Sequence, residues 1–152
     1  MTEPNKPLEQ MTSQERYDLG MSYFEEDRFD EAIKIWSNIN YDDPETYAWA
    51  QFGLGAAYYA QGKLEQAIEA WSNIHRNDNP EAYAQAQFNL GTAYNESSKL
   101  DQAIKTWSNI HRNDNPEAYA QAQFNIGDIY IDQGKLDQAI EAWSNISHDD
   151  DP

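Results

Sequence analysis

The stretch HRNDNPEAYAQAQFN runs from His75 to Asn89 and recurs unchanged from His111 to Asn125. Fifteen identical residues at an offset of 36 mark a chain built by repetition. A fixed period of this length is the signature of stacked supersecondary units. The period continues outward from that stretch. Pro44, Pro80, Pro116 and Pro152 recur every 36 residues, and Trp36, Trp71, Trp107 and Trp143 each open the tetrapeptide WSNI at spacings of 35, 36 and 36. Gly20, Gly55, Gly91 and Gly127 lie twelve residues before Ala32, Ala67, Ala103 and Ala139, and each alanine lies four before its Trp. The phase never slips, so four units of one kind are expected, at about 12–43, 44–79, 80–115 and 116–151.

One unit reads as two helices. In the third, Asn79 is a candidate N-cap, Pro80 suits the first helical position, and Glu81 suits the positive end of the helix dipole. Tyr83, Ala86, Leu90 and Tyr94 follow at steps of three and four, one stripe of an amphipathic helix. The stripe recurs as Tyr47, Ala50, Leu54, Tyr58 and as Tyr119, Ala122, Ile126, Tyr130. Gly62 and Gly134 end this helix in two units, where a left-handed residue needs no Cβ; Asp27 and Ser98 hold that place in the others. The second helix is expected to carry Ala103, Ile104, Trp107 and Ile110 on one face, with Asp101 in its first turn and Arg112 near its end. Thr12-Ser13-Gln14-Glu15 is a capping-box pattern, and residues 1–11, with two prolines, read as a mobile tail.

Period and pattern resemble the tetratricopeptide repeat, a helix–turn–helix of 34 residues. Leu19-Gly20, Leu54-Gly55, Leu90-Gly91 and Ile126-Gly127 match its Leu-Gly pair, and Tyr23, Tyr58, Tyr94 and Tyr130 match the Tyr three residues on. Ala32, Ala67, Ala103 and Ala139 match its small residue, and the repeated Trp its aromatic. The chain departs from the family in three ways. Each unit is two residues longer. Gln51, Gln87, Gln123 or Arg16 stands where a bulky residue is usual, four before the Gly. Ile39, Ile74, Ile110 and Ile146 stand where a small Ala is usual. The resemblance implies an all-α fold, a right-handed α-solenoid of four antiparallel helix pairs. It also implies a concave face, lined by the first helix of each pair, that holds a peptide or partner protein. That face would present Tyr17, Met21 and Phe24, then Trp49, Phe52 and Tyr59. Gln85, Phe88, Asn89 and Asn95 would follow, then Gln121, Phe124 and Asn125. Asn89 and Asn125 stand where family members use Asn to bond a peptide backbone. The basic clamp that some members close on a C-terminal carboxylate is absent, so a neutral or basic segment is the expected ligand.

Composition narrows the function. The chain of 152 residues carries 27 Asp and Glu against 10 Lys and Arg, a net charge of −17. That charge repels phosphate backbones and anionic lipid, so neither nucleic acid nor a membrane is an expected partner. No run approaches the length of a spanning helix, and the opening residues lack a signal-peptide pattern, so a cytoplasmic location is expected. There is no cysteine, which excludes disulfides and thiol chemistry. Catalytic and metal-binding readings are weak, and no cofactor is expected. His75 and His111 are repeat copies near helix ends, far short of a zinc set. Ser37, Ser72, Ser108 and Ser144 have no base placed to activate them. Gly53-Leu54-Gly55 follows no strand and does not cradle phosphate. Asp149-Asp150-Asp151 and Glu25-Glu26-Asp27 read as solvated acidic ends, and His148 falls out of register.

The reading is a non-catalytic protein-interaction scaffold. A piece of a longer self-associating array, a metal-dependent or hydrolytic enzyme and an acidic mimic of nucleic acid stay open as alternatives. Residues 1–43 and 116–152 each carry −7, while 44–79 carry −2 and 80–115 carry −1. Terminal repeats of an array need a polar outer face. Yet Ala139, Ile140, Trp143 and Ile146 keep the apolar stripe of the interior units. A second copy or a partner is therefore expected to cover that end, and two copies meeting there would form a homodimer.

Overall fold

The computed structural model describes residues 6–146. The acidic triplet Asp149–Asp151, His148 and the first five residues of the N-terminal segment lie outside the described residues. Among the described residues are eight α-helices and no strand. They are α1 (Ser13–Glu25), α2 (Phe29–Trp36), α3 (Pro44–Ala60), α4 (Leu64–Ser72), α5 (Pro80–Glu96), α6 (Leu100–Trp107), α7 (Pro116–Asp132) and α8 (Leu136–Ser144). They form four consecutive pairs, one to each sequence unit. Within 6–11, a 3-10 turn spans Leu8–Gln10, Lys6 pairs with Glu15 at 2.8 Å, and Arg16 Nε donates to the Leu8 carbonyl at 3.2 Å.

The caps explain where the first helices start. Thr12 Oγ1 accepts from Glu15 N at 3.1 Å while the Glu15 carboxylate accepts from Thr12 N at 3.0 Å, a reciprocal box. Asp43, Asn79 and Asn115 each accept from the backbone N–H three residues on, at 3.3, 3.1 and 3.1 Å, just ahead of Pro44, Pro80 and Pro116. The ends are equally regular. Lys63 N donates to Tyr58 O at 2.9 Å and Gly62 N to Tyr59 O at 3.0 Å, with Gly62 at φ +75°. Asp27 and Ser98 take the same left-handed turn at φ 59° and 60°, against the steric cost of a Cβ.

The chain divides into two compact units, 1–82 and 83–152. In the first, Ala32, Trp36 and Ile39 pack with Ala50, Leu54 and Ala57 of α3 and Ala70 of α4, flanked by Tyr17, Met21 and Phe24 of α1. In the second, Ala103, Trp107 and Ile110 pack with Ala118, Ala122, Ile126 and Ile129 of α7 and Ala142 of α8.

Every residue of WSNI has a task. The Trp lies under the Gly of its own first helix, where a Cβ on Gly20, Gly55, Gly91 or Gly127 would fall inside the indole. The indole N–H donates to the carbonyl three residues before that Gly: Trp36 to Tyr17 and Trp71 to Phe52 at 3.2 Å, Trp107 to Phe88 at 3.0 Å, Trp143 to Phe124 at 3.2 Å. Ser37, Ser72, Ser108 and Ser144 donate back to the carbonyl four residues earlier at 2.6–2.7 Å, and the helix stops there. Asn73, Asn109 and Asn145 donate to the buried amide oxygens of Gln51, Gln87 and Gln123 at 3.2, 3.2 and 2.9 Å. In the first unit Arg16 replaces Gln and donates to Asn38 O at 2.9 Å. Ile39, Ile74 and Ile110 are buried.

Two expectations are corrected here. The second helices end at Trp or Ser, so Ile110, His75 and His111 sit in the connecting turns rather than on the helix. Arg112 is likewise beyond α6; its guanidinium donates to Asn145 O and lies 5.1 Å from the Tyr119 ring. Serine back-bonding ends each helix before the apolar stripe ends.

Candidate protein-interaction surface

The side chains implied for the concave face occupy equivalent positions on α1, α3, α5 and α7. In the first unit, Tyr17 stacks on Trp36 with centroids 6.1 Å apart, and Phe24 lies 5.9 Å from the same indole. Met21 is half-buried beside the same core. Trp49 and Phe52 of α3 meet edge to face at 5.9 Å, and Tyr59, 40 % exposed, lies 6.0 Å from Trp71. In the second unit, Phe88 is half-buried and rests on Trp107 at 6.3 Å. Gln85, Asn89 and Asn125 are half-buried, while Asn95 and Gln121 are exposed. Phe124, at the position of Phe88, is 53 % exposed. The aromatic ladder therefore does double service. Tyr17 and Phe24 brace Trp36, Tyr59 braces Trp71 and Phe88 braces Trp107, while Tyr59 and Phe124 keep exposed ring surface.

Gly53 is explained by packing alone. A Cβ there would come within 2.7 Å of the six-membered ring of Trp36, so the Gly lets α3 close over the preceding pair.

A cleft of about 450 Å³ opens in the first unit, lined by Gln14, Tyr17, Asp43, Glu45, Thr46 and Trp49. Burial, and then the charge of Asp18, pushes the Tyr17 phenol above its ordinary value, so it stays neutral. Gln14 Nε2 donates to Asp18 Oδ1 at 3.0 Å. Sequence reasoning placed Trp49 on this face but missed the cleft. The available signal was that Trp49 is the one Trp outside WSNI, standing where the other units have Gln14, Gln85 and Gln121.

The apolar stripe of α8 is narrower than expected. Ala139 is wholly buried, so it is no part of an outer surface. Trp143 and Ile146 are half-buried, and Ile140 is 51 % exposed. Leu136 at the start of α8 and Ile131 on α7 are also exposed. No helix among the described residues is long and apolar enough to cross a membrane.

No curated protein matches the sequence. Among solved structures, the chain is similar to a crystal structure of MamA, with TM-score 0.69 and 24% identity over 88% of this chain and 75% of that one. It is also similar to BtubC (BKLC) from P. vanneervenii, with TM-score 0.66 and 19% identity over 95% of this chain and 65% of that one. At these identities the likeness concerns the fold. The family model of the tetratricopeptide repeat-like domain matches residues 12–151. With its helix pairs, its Gly–Trp locks and a match over nearly its whole length, the chain belongs to the tetratricopeptide repeat-like family.

Proposed function

We propose that the chain is a non-catalytic cytoplasmic scaffold that binds a neutral or basic segment of a partner protein through exposed side chains of its first helices. The observation that carries this is the outward half of the aromatic and amide ladder. Phe124 is 53 % exposed, and Asn95 and Gln121 are exposed, although the core is complete without them. Aromatic side chains are enriched at interaction surfaces. Phe88→Ala with Asn125→Ala is expected to weaken partner capture by about 1–3 kcal/mol per hot residue. Because Phe88 braces Trp107, capture and thermal melting are measured together. Unchanged capture by a stably folded double variant would move the site off this face.

A second reading is self-association through the last helix pair. Phe124, Ile131, Leu136 and Ile140 are four of the six large apolar side chains most exposed among the described residues, and all four lie on α7 or in α8. Residues 116–152 carry −7, so association should strengthen as salt screens the repulsion. Light scattering over a concentration and salt series tests this. Ile140→Glu is the suitable variant, since Trp143 is part of the pair's own packing. A monomer under all conditions, with or without the substitution, would remove this reading.

A further inference from the structure

We propose that the cleft between α1 and α3 is a specific receptor for an arginine side chain of the partner protein, held between the Tyr17 and Trp49 rings against the Asp43 and Glu45 carboxylates. The inference rests on the scaffold reading and gives one point on it a chemistry.

Four observations converge. The walls are aromatic and held in place: Tyr17 is stacked on Trp36 at 6.1 Å, and Trp49 is braced edge-on by Phe52 at 5.9 Å. A planar guanidinium stacks on such faces and is attracted by their quadrupole. The rim is anionic. Asp43 and Glu45 line the cleft together with Gln14 and Thr46, and no Lys or Arg is among the lining residues. Asp43 uses Oδ1 to cap α3 through Thr46 N at 3.3 Å, which fixes the direction of its carboxylate. The cleft, about 450 Å³, has room for one such side chain. Finally, Trp49 breaks the repeat. Gln14, Gln85 and Gln121 show that the helix-pair unit does not need a Trp at this position. Its presence here, beside a cleft that the core does not fill, is explained by binding.

Apolar walls alone would accept any side chain, and carboxylates alone would hold any cation loosely in water. Together they select a cation with a flat, weakly hydrated head. A neutral isostere keeps the stacking area and loses the charge, which makes it the discriminating probe.

The test follows the indole N–H resonance of Trp49 in the full ¹⁵N-labelled chain, assigned by its loss in Trp49→Gln, during titration with acetyl-arginine amide. A saturable shift centred on Trp49 is expected. Acetyl-citrulline amide should bind roughly tenfold more weakly. Asp43→Asn with Glu45→Gln should weaken arginine by a similar factor, and Asn at 43 keeps the helix cap. The inference is overturned if no saturable shift appears, if all five indoles move alike, if citrulline binds as well as arginine, or if the double variant binds unchanged. Partner capture by Trp49→Gln separates the two readings. Capture that survives Trp49→Gln but falls with the Phe88 and Asn125 substitutions leaves the scaffold standing and removes the arginine receptor.

Discussion

Trp107→Ala is expected to destabilise the chain by about 3–5 kcal/mol in a denaturant melt, the range of large-to-small core substitutions. The ring is 1 % exposed and belongs to one cluster with Ala103, Ile110, Ala118, Ala122 and Ile126. The loss has three parts. The indole surface leaves the core, a cavity opens between α5, α6 and α7, and the Phe88 carbonyl loses a donor at 3.0 Å. Three of the buried neighbours, Ala103, Ala118 and Ala122, are too short to fill the space. A loss below about 1 kcal/mol would mean that the ring is not a core element.

Gly91→Ala should produce the second largest effect, with a sign that depends on Trp107. In an ordinary helix interior this change gains about 1 kcal/mol in propensity. Here a Cβ would overlap the five-membered ring of Trp107, which the Phe88 carbonyl holds in place. Overpacking costs about 1–3 kcal/mol, so the single variant is expected to be less stable than the parent. In a Trp107→Ala background the obstacle is gone, and Gly91→Ala should then stabilise by about 1 kcal/mol. A double-mutant cycle in urea reads this reversal directly. Additive effects of the two substitutions would show that the Gly is not there to seat the Trp.

The fold was legible because its signals are local and repeated. Four Trp in constant phase, Pro after each N-cap and Gly or a turn residue after each first helix are readable one at a time. Asp27 and Ser98 were placed correctly at left-handed positions because Gly62 and Gly134 fill the same slot. What escaped was pairing at a distance. The bond between Asn109 and Gln87 spans 22 residues, and neither residue announces the other in a single sequence. The Gln departs from the family pattern because its partner is the Asn of WSNI. The ends of the second helices escaped for a different reason. The apolar stripe runs on to Ile110, but Ser108 has already turned the backbone by bonding Ile104 O at 2.7 Å. The cleft at Trp49 escaped because Asp43 and Glu45 stand where Asn79 and Glu81 read as a cap and a first-turn acid, roles that Asp43 and Glu45 also fill.

The indole, serine and asparagine–glutamine bonds share one property: each closes inside a single helix pair. Bonds of these three kinds survive when a pair is gained or lost whole, whereas the buried Asn79, which caps α5, also donates back to Glu45 O of α3 at 3.3 Å. The duplicated stretch at 75–89 and 111–125 gives such a change a seamless junction. A 36-residue excision starting anywhere within the first copy gives the same product, with one intact junction and one N-cap Asn ahead of its Pro. Loss of one repeat by that route leaves each remaining pair with the bonds that close inside it.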